Sequence, residues 1–258
     1  AEGRGDTSVQ FVPVTMLIVA VAFALAASPT FLWLRERAVP QGSGGVNYLQ
    51  VGFRRLRDTL AHARHYQDLF RLLITVAIYH CGINTVVVLA TVYAQEVMGF
   101  DFTESVILIL VVNLTAAAGA FAFGRLQDYW RSKPTLVVPL LLWIAATVLA
   151  FFTDDRATFW VVANLVGLAM GSSQSAGRAL VGQFSPAARS GEFFGLWGLA
   201  VKLSAIIGPV SYGLITHWTG GDHRRAILST IFFFVLGLIA LASVNEQRGR
   251  EAALRSAA

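Results

Sequence analysis

Polar side chains recur inside two strongly apolar stretches of this sequence, between residues 164 and 213. Asn164, Gln174 and Arg178 share one helical face of the first stretch, and Lys202 is a cation deep within the second. A membrane-spanning segment keeps such side chains where protein or water, rather than lipid, faces them. The pattern therefore predicts the lining of a solute pathway, with Asn164, Gln174 and Lys202 as lining residues.

Three charged residues in this region allow more than one role. Lys202 lies about 16 Å along its helix from a start near Gly191. It either faces a cavity or an ion-pair partner, extends its amine to the membrane surface, or lies closer to the helix end than this boundary predicts. Arg178 is close to a helix end, which indicates a gate or a helix-end contact. Glu192 lies at the start of the next helix, where the macrodipole favours an anion. We assign Arg178 and Glu192 to a cytoplasmic gate.

Three further polar residues lie in other apolar blocks. His80 and Asn84 are one helical turn apart, and Asn113 shares a face with two alanines and Gly124. A lone buried histidine is either satisfied structurally or titrates near neutral pH. An asparagine in a spanning helix by default bonds to a neighbouring helix. We include His80, Asn84 and Asn113 among the pathway candidates.

A tight turn follows the third apolar block. Gly124 allows close helix approach, Asp128 can accept charge-assisted hydrogen bonds, and Arg131 and Lys133 supply cations. This order predicts a cytoplasmic connection that helps to hold one side of the protein closed. The alternative interpretation is the ordinary positive charge of cytoplasmic loops.

The other reactive residue types do not form a catalytic or metal site. The sequence has no nucleophile–base pair, no phosphate-binding glycine loop and no metal-ligand spacing, and Cys81 is its single cysteine. The net charge of +5 and the pI near 9.8 come from cations in alternate loops, so nucleic-acid binding is not expected. We predict no enzyme activity, no metal and no cofactor.

The elements that must position these residues are membrane helices. The chain is 55% hydrophobic and only 14% charged, which is a lower charge content than a soluble domain has. Seven apolar blocks have the length needed to cross a lipid bilayer: 11–34, 70–94, 105–124, 134–152, 157–176, 193–215 and 226–244. The prediction is an all-α polytopic membrane protein.

Lysine and arginine concentrate in one set of alternate connections, which predicts a chain start outside and a cytoplasmic C-terminus. In a bacterium the membrane would be the plasma or inner membrane. The predicted parts are a spanning helix in 1–34, a cytoplasmic linker in 35–68, a six-helix bundle in 69–246 and a cytoplasmic tail in 247–258. The linker carries a basic amphipathic pattern, which is either a helix on the membrane surface or a solvated linker helix.

The long linker and the turn formed by Gly124, Asp128, Arg131 and Lys133 resemble the major facilitator superfamily. Its transporters have two six-helix halves joined by a cytoplasmic linker, and each half has a Gly-x-x-x-Asp turn between its second and third helices. Ser132 departs from the motif, which usually has a second glycine there. The resemblance implies a six-helix C-terminal bundle, preceded by the last helix of an N-terminal half that this sequence lacks.

A longer pattern comprises Gly171, Gln174, Ser175, Arg178, Pro186, Glu192-Phe-Phe-Gly195, Lys202, Gly208-Pro209 and Val244-x-Glu246. It resembles the autophagy-linked vacuolar effluxer branch of that superfamily, which also includes bacterial transporters, and the resemblance covers residues 11–250. Trp197 stands where a tyrosine is usual. Cys81 stands where the branch tends to have an acidic residue, so proton coupling through that position is in doubt.

The leading hypothesis is a secondary active transporter that moves a small polar metabolite by alternating access. Protons are the candidate coupling ion. By resemblance, amino acids are the first candidates. Alternatives are a non-transporting membrane scaffold or partial subunit, and a seven-helix receptor or retinal protein, although block 226–244 lacks the lysine that a retinal Schiff base needs. We expect no transport by this chain alone, because alternating access needs both halves.

Overall fold

The computed structural model describes residues 8–34, 50–54, 57, 66–130 and 132–255. These residues are almost all helical, and none of them lies in a β-strand. The all-α prediction is confirmed. The chain divides into two compact units, residues 1–48 and residues 49–258.

The described part of the first unit is a single helix, α1 (Ser8–Trp33). Its residues from Val12 to Trp33 are long and apolar enough to cross a membrane. Pro13 and Pro29 lie inside the helix, a placement that spanning helices tolerate more readily than helices in water.

The second unit is a helical bundle. Its long helices are α2 (Gln67–Glu96), α3 (Phe102–Tyr129), α4 (Ser132–Phe152), α5 (Arg156–Phe184) and α6 (Ser190–Trp218). Three shorter helices follow, namely α7 (His223–Ser229), α8 (Ile231–Ala242) and α9 (Glu246–Arg255). Helices α7 and α8 together form one potential span. The predicted tail 247–258 is therefore helical as far as Arg255.

Most of the predicted linker 35–68 lies outside the described residues. Within it, residues 50–54 and 57 are helical, and Phe53 is exposed. The alternatives for the amphipathic pattern of this segment remain predictions.

Helix α5 is less apolar than the other predicted spans. Six helices in the described ranges are long and apolar enough to cross a membrane, and α5 is not among them. It has 29 residues, which is long enough, but small and polar residues reduce its apolar character. The physical reason is its position, because α5 packs against α3 and α4. A helix enclosed by protein does not need an apolar surface on every side.

Helices α3 and α5 pack with their backbones in contact. A Cβ atom at Gly119 would lie 2.6 Å from the carbonyl oxygen of Leu168, and one at Gly171 would overlap the carbonyl oxygen of Ala116. Gly124 faces Ser175 further along, so the contacts advance in the same direction on both helices and the helices run parallel. The small residues therefore set the spacing and register of α3 and α5.

Helix α2 is the centre of the other half of the bundle and packs against α6 and α8. Ser204 of α6 donates a 2.7 Å hydrogen bond to the carbonyl of Ala77, and Gly237 of α8 lies against Tyr79. The buried Trp143 of α4 stacks on Phe234 of α8, with 5.4 Å between the ring centroids. These contacts fix the helices that carry the polar residues.

Candidate solute groove and charged network

A groove of about 720 Å³ runs along the seam between α3 and α5. Its polar residues are Asn113, Gln174, Ser175 and Arg178. The rest of its lining is small or apolar, and we call it the α3–α5 groove: Ala116, Ala117, Ala120, Met170, Gly171 and Ala179.

The groove exists because small residues stand on both helices. The backbone contact between Gly171 and Ala116 forms its floor, and alanines leave the space above the floor open. Gln174 and Arg178 are one helical turn apart on α5, so their side chains share one face. The sequence predicted that Gln174 and Arg178 share that face, and the structure adds Asn113 of α3 at the other end of the groove.

The polar groups of the groove make few bonds within the protein. Asn113 donates to the carbonyl of Ile109 in its own helix at 2.8 Å, which leaves its Oδ1 as an acceptor. Across the described part of the chain, the side chains of Gln174 and Ser175 have no hydrogen-bond partner. These groups are available to a bound molecule.

Arg178 is exposed and points across to α6. Its guanidinium carbon lies 5.2 Å from the centre of the Trp197 ring, a distance typical of a cation–π contact. Among the described residues, no carboxylate lies within salt-bridge distance of Arg178. The position that we predicted as a gate therefore borders the groove and connects it to α6.

The other predicted pathway residues lie outside the groove. Asn164 donates to the carbonyl of Trp160 at 2.8 Å. His80 is buried, and its Nδ1 lies 3.0 Å from the carbonyl oxygen of Val76. Both of these bonds stay within the residue's own helix.

Asn84 and Lys202 belong to the seam between α2 and α6. Asn84 donates to the carbonyl of Val201 at 3.4 Å, which is the interhelical bond that an asparagine in a spanning helix commonly makes. Lys202 is exposed and forms no ion pair or hydrogen bond within the described ranges. A Cβ atom at Gly195 or Gly198, earlier on α6, would meet no atom within 4 Å.

The predicted turn lies at the end of α3. A Cβ atom at Gly124 would be in ordinary contact with Ser175, 3.7 Å from its Oγ. Asp128 is exposed and has no hydrogen bond or ion pair to another described residue. Arg131 lies outside the described residues. Lys133 donates through Nζ to the carbonyls of Ala242 at 3.0 Å and Val244 at 2.7 Å. The lysine of the turn thus holds the end of α8.

Glu192 lies in the first turn of α6, as the sequence predicts. It borders a second open groove of about 440 Å³ that Arg189, Gly191 and Gly195 also line. An acid in this position interacts favourably with the helix macrodipole.

A charged network at the Lys133 end of the bundle was missed by the sequence reasoning. Asp68 is 3% exposed and accepts hydrogen bonds from Nε and Nη2 of Arg248, the latter at 2.8 Å. It also accepts the backbone N–H of Asn245 at 2.9 Å, while Glu246 accepts the backbone N–H of Lys133 at 3.1 Å. We call these five residues the Asp68 network.

The Asp68 network joins α2, α4 and α9. The bond to Asp68 raises the pKa of Arg248 above its ordinary value. Arg250 extends the contacts to α5, because its Nη2 donates to Oε1 of Gln183 at 2.7 Å. Two features of the sequence could have indicated this network: the acidic Asp68 in the first turn of α2 and the Val244-x-Glu246 pattern.

Residues 4–254 match the sequence profile of the family described as "Vacuole effluxer Atg22 like". The chain belongs to this family. The predicted resemblance to the vacuolar effluxer branch of the major facilitator superfamily is therefore confirmed.

Two proteins with similar sequences come from Bacillus subtilis and Yarrowia lipolytica. An uncharacterized MFS-type transporter, YxiO of Bacillus subtilis, is 29% identical over 195 residues, which cover 76% of this chain and 45% of the relative. Autophagy-related protein 22 of Yarrowia lipolytica is 24% identical over 268 residues, which cover 92% of this chain and 45% of the relative. The chain thus spans a little under half the length of these relatives.

A solved structure shares the fold of this effluxer-family chain. It is the crystal structure of a bacterial homologue of the human lysosomal transporter Spinster, in an inward-facing and unoccupied conformation. The TM-score is 0.59 with 17% sequence identity, over 91% of this chain and 59% of that chain. This likeness supports a fold of the major facilitator type.

Proposed function

We propose that this chain supplies one helical bundle of a secondary active transporter, which moves a small polar metabolite across a membrane by alternating access. The observation that carries the proposal is the α3–α5 groove, whose polar groups have few partners within a bundle of potential spans. Polar groups in such a bundle mark solute or ion pathways. Membership of an effluxer family supports the same conclusion.

The proposal includes a second bundle, because alternating access rocks two bundles around one binding site. The matched relatives are about twice as long as this chain, which leaves room for another bundle in them. Asn84 and Lys202 on the α2–α6 seam would then face that bundle or the water between the two. We place the Asp68 network on the cytoplasmic side, following the charge distribution of the sequence.

Amino acids are the first substrates to test, by the resemblance stated above. Proton coupling remains a further part of the proposal, and His80 is the titratable candidate on α2. The resemblance places an acid at the position of Cys81. A cysteine there cannot supply a carboxylate for proton coupling.

Transport can be tested by counterflow in proteoliposomes. One set holds this chain alone, and the other also holds the part of the Bacillus relative that this chain does not match. We expect saturable exchange of an amino-acid mixture with both bundles and none with this chain alone. Saturable exchange by the chain alone would contradict the need for a second bundle, and no exchange of any small polar solute in either set would contradict the transporter assignment.

A further inference from the structure

We propose that the α3–α5 groove binds the carboxylate group of its solute through Arg178 and Gln174, and that the body of the solute lies along the alanine floor. This inference rests on the proposed function, because it names the chemical class of the transported molecule. It also changes the role of Arg178 from a gate to a ligand of the solute.

The charge of the lining carries the first step. Of the ten residues that line the groove, Arg178 is the one with a charge, and none is aspartate or glutamate. A cation without a counter-ion in a membrane-spanning bundle is costly. An anionic solute supplies the missing charge, whereas a cationic solute would meet Arg178 with no acid to hold it.

The geometry of Arg178 carries the second step. The contact with Trp197 uses the ring face and consumes none of the five N–H donors of the guanidinium. Those donors form a planar fork that fits both oxygens of a carboxylate. Gln174 is one turn away on the same face and can add its amide N–H groups. The arrangement therefore selects a planar carboxylate.

The length of the groove carries the third step. Because α3 and α5 run parallel with Ala116 level with Gly171, Asn113 and Arg178 stand at opposite ends of the groove. The rise along α5 between these two levels is about 15 Å. An α-ammonium group attached next to a carboxylate on Arg178 cannot reach Asn113, and the lining has no carboxylate to pair with it, only the neutral oxygens of Gln174 and Ser175. We therefore expect an amino acid and the corresponding simple acid to bind with similar affinity.

The experiment measures ligand binding to the purified chain in lipid nanodiscs. Four probes share a six-carbon chain and differ only in two groups: hexanoate, hexanamide, 2-aminohexanoate and 2-aminohexanamide. The first pair of groups is carboxylate against amide, and the second is the presence or absence of the 2-amino group. Thermal unfolding shifts and calorimetric titration give the dissociation constants. We expect both acids to bind with constants within about threefold of each other, and the two amides to bind at least about tenfold more weakly, since an ionised acceptor strengthens each hydrogen bond.

Arg178→Gln should raise the dissociation constant of hexanoate at least about tenfold. Arg178→Lys should recover part of the lost affinity, because it restores the charge without the planar fork of donors. The matched control is Arg125→Gln, because Arg125 also lies over an aromatic ring, Phe121 at 3.8 Å, but is outside the groove. Arg125→Gln should bind hexanoate as the unmodified chain does. Unfolding without ligand shows whether each variant is folded, and Gln174→Leu provides a second groove variant that should also weaken hexanoate.

Amides that bind as tightly as the acids would overturn the inference, and so would Arg178→Gln with unchanged hexanoate binding or an unmodified chain that binds none of the four probes. These outcomes are separate from the transport result. Counterflow of another solute class without carboxylate binding would remove this inference and leave the proposed function intact. Carboxylate binding without counterflow would contradict the proposed function and leave the groove as a carboxylate-binding site of another role.

Discussion

The α3–α5 groove and the Asp68 network both collect polar residues, but they treat them in opposite ways. In the network, Asp68 is buried and accepts three hydrogen bonds from other elements. In the groove, Gln174 and Arg178 make no hydrogen bond to a neighbouring helix within the described residues. Paired polar groups thus connect the helix ends, whereas the unpaired groups of the groove are the ones that we propose as ligands of a solute.

The largest effect is expected from breaking the network at Asp68. Asp68→Asn removes the charge that Arg248 and Arg71 face. Because the buried Asp68 carboxylate accepts three hydrogen bonds, its neutralisation should lower the free energy of unfolding by about 2 to 3 kcal/mol. Thermal unfolding in nanodiscs measures the change. Arg255→Gln is the control, because its contact with Glu251 is exposed and should contribute little. Equal effects of both substitutions would show that the network does not hold the bundle.

The floor of the groove should be the next most sensitive position. Gly171→Ala places a methyl group against the backbone of Ala116, and such overpacking should cost about 2 kcal/mol. Gly198→Ala is the matched control on α6, where the same methyl group meets open space and alanine favours the helix. Gly171→Ala should lower the unfolding temperature, whereas Gly198→Ala should leave it unchanged or raise it. A harmless Gly171→Ala would mean that α3 and α5 are not held by backbone contact.

A smaller effect is expected at Lys133. Lys133→Gln loses the bonds to the carbonyl of Ala242, the last residue of α8, and to that of Val244 just beyond the helix, and should lower the free energy of unfolding by about 1 kcal/mol. Lys202→Gln serves as the comparison, because Lys202 has no partner among the residues that the structure describes. We expect its unfolding temperature to stay unchanged. A greater loss at Lys202 than at Lys133 would contradict the distinction between paired and unpaired cations.

Sequence reasoning predicted the fold well because membrane helices leave long apolar blocks. Most helix ends lie within about five residues of the predicted block ends, and α5 is the exception, because it continues to Phe184 beyond the predicted end at 176. One predicted span, α5, is less apolar than the six helices that meet the length and composition of a membrane span, because its packing against α3 and α4 permits small and polar residues. Whether a helix of this composition lies in the membrane therefore depends on the helices around it, and not on its own residues alone.

The site could be predicted only in part. The shared face of Gln174 and Arg178 follows from helical spacing, but the place of Asn113 in the same groove depends on the register that Gly171 and Ala116 set between two helices. The bond between Asp68 and Arg248 joins residues 180 positions apart, which no local pattern reveals.

The most direct test compares Arg178→Gln with Arg248→Gln, using the ligand-free unfolding temperature and the shift caused by hexanoate in the same nanodiscs. If unpaired residues serve the solute and paired ones the fold, Arg178→Gln will keep the unfolding temperature and lose the hexanoate shift, and Arg248→Gln will lower the temperature and keep the shift. An Arg178→Gln variant that unfolds as early as Arg248→Gln and still responds fully to hexanoate would contradict this account.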